Sequence, residues 1–299
     1  MTIARGPLLD HPGPAPGARL DAHACVVRRA AFELPRGAPL LDALASELAD
    51  AEVTAGVGRL SGGGFRTLAY ANPAHSHDRS RAVTFSEPIV AAPPAALEIG
   101  NLTLGMVDDT PFVHCHAIFT DGHGRRLGGH VIPDDAVVED AIEVSIEVFE
   151  ELTIEMRPDD ETGFTLFQPR ATPARRASAG PTDPEGAPRG VFARVRPHED
   201  LVGAIEELAV AHELSHARVQ GIGSIVGATF AVTEGGRRQI GGPALEVLDL
   251  DGEVVVLDDA VRAEVELTGV DVQRELSSGT PMRGENPVAV TYELALLPP

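Results

Sequence analysis

The stretch PFVHCHAIFTDGHGRRLGGH, residues 111–130, carries the histidine pair His114 and His116 and ends on His130. Its first half is an apolar run that predicts a β-strand. Two residues that are two positions apart on a strand point to the same face, about 7 Å from each other along the chain. The stretch therefore predicts a strand with a histidine pair on one face.

A turn follows the pair and determines where the third histidine lies. The residues Asp121-Gly122-His123-Gly124 are a strong turn signal that returns the chain as a hairpin. If the loop has five residues, or if Gly128-Gly129 forms a bulge, His130 lies across from His116 on the same face. Three imidazoles then converge, whereas His123 at the turn tip is expected to be exposed.

Three converging imidazoles are typical of a metal site. Neutral imidazole nitrogen is the commonest protein ligand for zinc, and three histidines with an open fourth position are the arrangement of catalytic zinc. We therefore expect zinc, or another divalent transition metal, on His114, His116 and His130. The alternative is that these histidines are hydrogen-bonded or exposed strand residues without a metal.

The same order of elements appears twice along the chain, which indicates an internal repeat. A helix with leucines at helical spacing begins at Leu40 in the first half and at Leu201 in the second. With these residues matched, Gly62 corresponds to Gly223, and a separate match of the last strands, 138–146 with 288–296, places Glu143 opposite Glu293.

Short apolar runs bounded by Gly, Pro and Asp separate each helix from the last strand, and they are typical of antiparallel strands. The predicted fold class is α+β, with two tandem related domains that each have a mainly antiparallel sheet and one principal helix. Stretches rich in Pro, Gly and Ala give the boundaries. We predict a flexible N-terminal arm at 1–22, a domain with the histidine cluster at 23–169, a linker at 170–189 and a domain without the cluster at 190–299.

Composition excludes several kinds of chemistry. All 24 basic residues among the 299 are arginine, which excludes a lysine Schiff base and a P-loop lysine. The formal net charge of −21 makes nucleic acid an unfavourable partner. The chain has no apolar stretch long enough to span a bilayer, and its N-terminus lacks the apolar core of a signal peptide, so we expect a cytoplasmic protein that does not bind membranes.

These motifs resemble the plants-and-prokaryotes conserved domain, or PPC domain, over about residues 23–169. The His-x-His strand and the Gly-Gly-His that follows it match His114-Cys115-His116 and Gly128-Gly129-His130. Upstream, Gly100-Asn101-Leu102 resembles the glycine-asparagine of the family, and Glu143 resembles the glutamate of its last core strand. The loop between His130 and Glu143 is slightly longer than in the family.

The resemblance implies an α+β fold, a homo-oligomer that is a trimer in prokaryotic members, and a zinc-like metal on the three histidines. Plant members carry AT-hook segments that bind DNA, and this sequence has no Arg-Gly-Arg-Pro core of an AT-hook. The second half, from about Val191, resembles the family more weakly. It has no histidines near 260–262 and 277–279, where the hairpin histidines are expected.

Other residues are candidates for roles around the cluster. Glu143 could orient a histidine or act as a general base, although its match with Glu293 favours a structural role for both. His75 and His77 lie in a Pro-rich stretch and are candidates for a second metal site or for a lid over the first. Arg125 and Arg126 could attract a carboxylate substrate, or they could be exposed hairpin residues.

Three functions follow from these observations. The first is a metal-dependent protein that binds or transforms a small-molecule ligand, and as an enzyme it would be a hydrolase, lyase or isomerase. The second is a DNA-associated regulatory protein, as the plant members of the family suggest. The third is a scaffold in which the metal only stabilises the assembly.

Overall fold

The computed structural model of the chain describes residues 8–78, 80–172 and 188–299. Its first half begins with a long strand and one α-helix, and continues almost entirely in strands. The elements of this half are β1 (Leu20–Leu34), α1 (Leu40–Asp50), β2 (Gly56–Ser61), β3 (Gly64–Thr67), β4 (Ala69–Ala71), β5 (Pro73–His75), β6 (Val83–Phe85), β7 (Ile89–Val90), β8 (Ala95–Val107), β9 (Thr110–Thr120), β10 (Arg126–Val131), a 3₁₀ turn (Pro133–Asp135), β11 (Val137–Asp140), β12 (Ile142–Phe149), β13 (Leu152–Pro158) and β14 (Thr165–Ala171).

The second half has the same general sequence of elements and the only other α-helix in the described residues. It consists of β15 (Arg189–Val195), α2 (Leu201–Ala211), β16 (Ala217–Ile225), β17 (Ala228–Val232), a 3₁₀ turn (Thr233–Gly235), β18 (Gly236–Ile240), β19 (Leu245–Leu257), β20 (Ala260–Asp271), β21 (Leu276–Gly279) and β22 (Val288–Leu297). Neither α-helix is long and apolar enough to cross a membrane. Two helices against mainly antiparallel strands confirm the predicted α+β class.

Strand order is the same in the two halves. In the first, the neighbours run β10-β9-β8-β2-β12-β1, and in the second they run β21-β20-β19-β16-β22-β15, with every one of these pairs antiparallel. Strand β1 joins the two sheets, because its residues 20–26 pair with β15 and its residues 27–34 pair with β12. One long strand therefore belongs to both halves.

Each helix covers one face of its own sheet. In α1 the leucines at positions 40, 44 and 48 are buried at helical spacing, and they pack with residues of β8, β9 and β12. In α2, Asp200 caps the helix by accepting a hydrogen bond from the Gly203 N–H at 2.7 Å, and Leu201, Ile205 and Leu208 enter the second core. The other face of each sheet is left for contact between the halves.

The contact between the halves is partly apolar and partly polar. Phe149 and Ile154 of the first half share one apolar cluster with Phe192 and Leu297 of the second. Among the polar contacts, Asn101 donates to the Leu248 carbonyl at 2.8 Å, and Gln220 donates to the Gly58 carbonyl at 3.0 Å. The two sheets thus face each other across a continuous interface.

The structure places two predicted boundaries inside strands. Strand β1 begins at Leu20, so residue 23, where the first domain was expected to begin, lies within it, and residue 169 lies within β14. Part of the predicted flexible arm is held against the protein, because the His11 ring is 2.9 Å from the Ala289 carbonyl and the Gly13 N–H donates to Glu161. Most of the predicted linker, residues 173–187, lies outside the described residues.

Candidate metal centre

Strand alternation directs the histidine pair toward the second half of the chain. On β9, Val113 and Cys115 are buried and belong to the core beneath α1. His114 and His116 alternate with them in sequence, and their side chains therefore point to the opposite face of the sheet. The predicted histidine face is thus the face that contacts the second half.

The turn brings His130 beside the pair. Strand β9 ends at Thr120 and β10 begins at Arg126, which leaves a loop of residues 121–125, and the ladder places His130 directly opposite His116. Gly128, two residues before His130, lies close to the second half: a Cβ at this position would be 2.4 Å from Leu248 Cδ1. A larger residue at this position would require the Leu248 side chain to shift.

The second half completes the site with two buried glutamates. Glu246 lies on β19 and Glu293 on β22, and they are 5% and 2% exposed. Glu246 Oε1 is 2.8 Å from His116 Nε2 and 3.9 Å from His130 Nδ1. Potential ligand atoms of these three residues and His114 all lie within 4.8 Å of one another.

Hydrogen bonds from outside the group fix the orientation of two imidazoles. Nδ1 of His114 is 2.8 Å from Glu293 Oε2, and Nδ1 of His116 is 2.7 Å from the Val247 carbonyl. Because a carboxylate and a carbonyl are acceptors, we assign a proton to each Nδ1. In the neutral rings each Nε2 then carries a lone pair, as in metal sites whose histidines donate to an outer acceptor.

The Nε2 atoms of His114 and His116, which carry these lone pairs, lie close together. The two Nε2 atoms of His114 and His116 are 3.0 Å apart, and the second of them faces the carboxylate of Glu246. A tetrahedral zinc with Zn–N bonds of 2.0–2.1 Å would separate two nitrogens by about 3.3 Å, close to this value. His130 Nδ1 is buried and has no hydrogen-bond partner. A proton shared by the pair would leave that atom unsatisfied, whereas a metal ion would satisfy all four ligands.

The electrostatics of the site favour a cation. Burial holds the pKa of His130 well below its usual value, reinforced by the charges of His114 and His116, so its ring is neutral and free to act as a ligand. Burial alone would lower the pKa of His114, but the carboxylates of Glu293 and Glu246 raise it above its ordinary value. The same carboxylates would attract a metal ion. This donor set therefore could hold a metal ion, and its residues fit one.

A cavity of about 280 Å³ opens on this group. His114, His130, Glu246 and Glu293 line one end of it. The remaining wall is mostly apolar and comes from both halves of the chain. A small molecule in the cavity would therefore reach the potential ligand atoms directly.

Solved structures with a similar fold are known. They include a plant- and prokaryote-conserved (PPC) protein from Pyrococcus horikoshii, with 18% identity, 49% of this chain and 94% of that chain covered, and a TM-score of 0.41. PPC proteins are thus among the structures that resemble this chain, as the motifs predicted.

Two further structures extend the comparison. A metal-containing protein from Archaeoglobus fulgidus has 19% identity, covers 48% of this chain and 94% of its own, and has a TM-score of 0.40. A putative DNA-binding protein from Ralstonia eutropha JMP134 has 16% identity, covers 46% and 89%, and has a TM-score of 0.38. No family model matches the chain, and no curated protein is significantly similar to it.

Glu143, the glutamate that the PPC resemblance pointed to, lies away from the group. It is exposed on β12, and two strands, β2 and β8, separate β12 from β9. Because neighbouring strands are about 4.8 Å apart, Glu143 is about 14 Å from β9 across the sheet. The expected role beside the cluster therefore does not agree with the structure, and Glu293 has the position next to a histidine.

The other predicted candidates also lie outside the group. His75 and His77 are exposed, although the hairpin β5–β6 lines the cavity through Pro73 and Phe85. Arg125 is paired with Asp121 at 2.7 Å, and Arg126 with Glu98 at 2.6 Å. Neither arginine lines the cavity, so the predicted attraction of a carboxylate has no support in the site.

Sequence reasoning missed Glu246. The signal was present, because this acid lies in the apolar run ALEVLDL of the second half, and a charged residue within a buried strand needs a partner. Nothing local shows, however, that the partner comes from residues 114–130. That information lies in the packing of the two halves against each other.

Proposed function

We propose that this chain binds one divalent transition metal, zinc first, through His114, His116, His130 and Glu246, and that the site binds or transforms a small molecule. The observation that carries the proposal is the convergence of ligand atoms from four residues, together with a buried imidazole nitrogen, His130 Nδ1, that has no hydrogen-bond partner. The described residues contain no other group of three or more such side chains in one place.

Different groups of the protein would have different roles at this site. Glu293 and the Val247 carbonyl hold the rings of His114 and His116 in place, which raises the basicity of the ligand nitrogens. The apolar wall of the cavity would exclude water around a bound ligand. When bound, the metal would supply Lewis-acid polarisation of a carbonyl-type oxygen or activation of water. A hydrolase, lyase or isomerase would use such a site.

A second candidate, a structural metal, is favoured by the origin of the ligands. Three histidines come from the first half and Glu246 from the second, so that an ion would join the two. Four protein ligands also fill a tetrahedral zinc, as in structural sites. An ion that prefers six ligands would keep positions open toward the cavity. Coordination number therefore separates the structural role from the ligand-binding role.

A DNA-associated role has less support. The formal net charge of −21 opposes contact with a phosphate backbone, and the two glutamates make the cavity end acidic. Assembly as a homo-oligomer, which the PPC resemblance implies, is a further proposal that does not depend on the choice between these roles.

Elemental analysis of the untagged protein tests the proposal. We expect about one metal per chain in the wild type and none in His116→Ala, because that ring is fully buried among the ligands. His123→Ala is the matched control, since it removes an exposed histidine from the same hairpin. Equal metal content in all three proteins, or none in the wild type after growth with added metals, would contradict the proposal.

The visible spectrum of cobalt-substituted protein tests the choice of role. An intense four-coordinate spectrum that azide leaves unchanged would indicate a closed structural site. A spectrum typical of cobalt with more than four ligands, or one that azide changes, would show that the metal has positions open to a ligand.

A further inference from the structure

The cavity beside the metal centre has a chemical character of its own. Both halves of the chain line it, and the large apolar side chains of its wall include four phenylalanines and one methionine, all from the first half. Phe112, Met156, Phe164 and Phe167 come from the first half, as does Phe85, whose ring centroid is 4.9 Å from that of His130. Such a wall favours apolar ligand atoms, because their burial releases water from both surfaces.

No cationic side chain balances an anion in this cavity. The described residues that line it include no arginine, and the sequence has no lysine. Two of the lining residues, Glu246 and Glu293, are acidic. A divalent ion would balance the charges of these two glutamates, and the buried Arg194 behind Thr291 is paired with Asp159, so a carboxylate ligand would add an unbalanced negative charge in apolar surroundings.

The two hydroxyl groups that the second half contributes to the wall each accept one hydrogen bond from the protein. Ser224 Oγ accepts from the Val290 N–H at 3.3 Å, and Thr291 Oγ1 accepts from Arg194 Nε at 3.3 Å. The other two hydroxyls in the wall, those of Thr84 and Thr165, carry no charge. The strong polar interaction available to a ligand is therefore at the metal end.

Size narrows the ligand further. An apolar cavity of about 150 Å³ holds benzene, so a cavity of about 280 Å³ has room for a single ring or a branched chain with a short substituent. We propose that the site binds a small, neutral, mainly apolar molecule with one oxygen or nitrogen donor directed at the metal, and that it discriminates against carboxylates. This inference rests on the proposed function and departs from the carboxylate that the sequence suggested.

Calorimetric titration of the metal-loaded protein with three probes tests this ligand class. Benzamide is neutral and has a ring, benzoate has the same size and a negative charge, and acetamide lacks the ring. We expect benzamide to bind about tenfold more tightly than either of the others, because only benzamide combines ring burial with a neutral donor. Benzoate that binds as tightly as benzamide, or a protein with one metal that binds none of the three, would overturn the inference.

A variant can reverse the preference. Thr84 lines the cavity, and Thr84→Arg would add the cation that the wall lacks. We expect this variant to bind benzoate more tightly than benzamide, with unchanged metal content. Val90→Arg is the control, because it adds the same charge at a position that is 72% exposed and outside the cavity. A preference unchanged in Thr84→Arg, in folded protein with its metal, would also count against the inference.

Metal content separates the two proposals. A chain that never holds a metal but still binds benzamide in preference to benzoate would refute the metal centre and support the apolar ligand class. A chain with one metal and no preference would do the reverse. Phe85→Ser gives a further measurement, because this partly exposed ring can be removed without opening the core. We expect weaker benzamide binding and the same metal content.

Discussion

The hairpins β8–β9 and β19–β20 have the same backbone construction but carry different side chains. Each turns through two aspartates with positive φ, Asp108 and Asp109 in one and Asp258 and Asp259 in the other. Each also has one ladder irregularity at a matching distance from the turn, at Glu98 and at Leu248. The construction is therefore shared down to a single irregularity, while the side chains at matching positions differ.

Counted from the turn, the second half has glutamates at the positions where the first half has two of its candidate metal ligands. Glu264 and Glu266 occupy the positions of His114 and His116, and both are exposed. Conversely, Leu248 and Glu293 of the second half are buried, whereas their counterparts in the first half, Glu98 and Glu143, are exposed. We infer that a site of this kind needs two unlike surfaces, and that each half retains a different one.

The largest expected effect is on stability, and it concerns Leu248, the buried apolar residue of the second half. Leu248 is fully buried and packs with Ile118 and Val270, whereas Glu98 at the matching position is an exposed partner of Arg126. We expect Leu248→Ala to lower the free energy of unfolding by about 2–5 kcal/mol and Glu98→Ala by about 0–1 kcal/mol. Urea unfolding of both variants measures the difference. Similar small losses would show that the halves do not depend on this contact.

The next effect concerns the carboxylate that the second half contributes. Glu246→Gln removes a charged ligand, and we expect metal affinity to fall by more than about 100-fold, because even outer partners of ligands contribute 10–100-fold. Glu264→Gln, an exposed glutamate of the same half, is the control and should have no effect. Competition with a chelator of known affinity gives both values. Equal affinities would remove Glu246 from the ligand set.

The sequence predicted those parts of this comparison that depend on local patterns. Alternation and the five-residue loop placed His130 opposite His116, as observed. The matches made between the halves recur in the ladders: Glu143 lies opposite Ser61 on β2, and Glu293 lies opposite Ile222 on β16. Periodicity and turn chemistry are local properties, so a single sequence shows them.

The remaining features depend on contacts distant in sequence. Nothing near Glu246 or Glu293 indicates that 114–130 lies against them, because that contact follows from how the second sheet faces the first. For the same reason the sequence does not show that β1, which contains residue 23, pairs with a strand of each half. A repeat predicts what the halves share, and the site depends on how they differ.

An ion pair between the halves gives the third effect. Asp159 accepts from the buried Arg194 at 2.7 Å, whereas Glu33, which matches this arginine in the first half, is exposed. Burial would raise the pKa of Asp159, but the hydrogen bond and charge of Arg194, with Thr162, lower it to about 2. A depressed pKa stabilises the fold above the ordinary value near 3.8, and the stabilisation is lost as the pH falls toward 2.

Comparison with Asp159→Asn isolates this ion pair from the other carboxylates. At pH 5 we expect the wild type to be more stable by at most about 2 kcal/mol, and the difference should shrink between pH 4 and pH 2. Denaturant unfolding of both proteins across this range is the measurement. A difference that stays constant with pH would mean that Asp159 titrates alike in the folded and unfolded chain.

The smallest expected effect gives the most direct test of the comparison between the halves, because it concerns two glutamates, Glu293 and Glu143, at matching positions. Glu293 is 2.8 Å from His114 Nδ1 in the interface, while Glu143 is exposed on its strand. Glu293→Gln keeps an acceptor for the imidazole but loses the charge, so we expect metal affinity to fall about tenfold, the lower end for an outer partner. Glu143→Gln should leave it unchanged. An equal response of the two variants would mean that burial of Glu293 serves only the packing of the halves, whereas a loss confined to Glu293→Gln would show that the second half supports the histidines of the first.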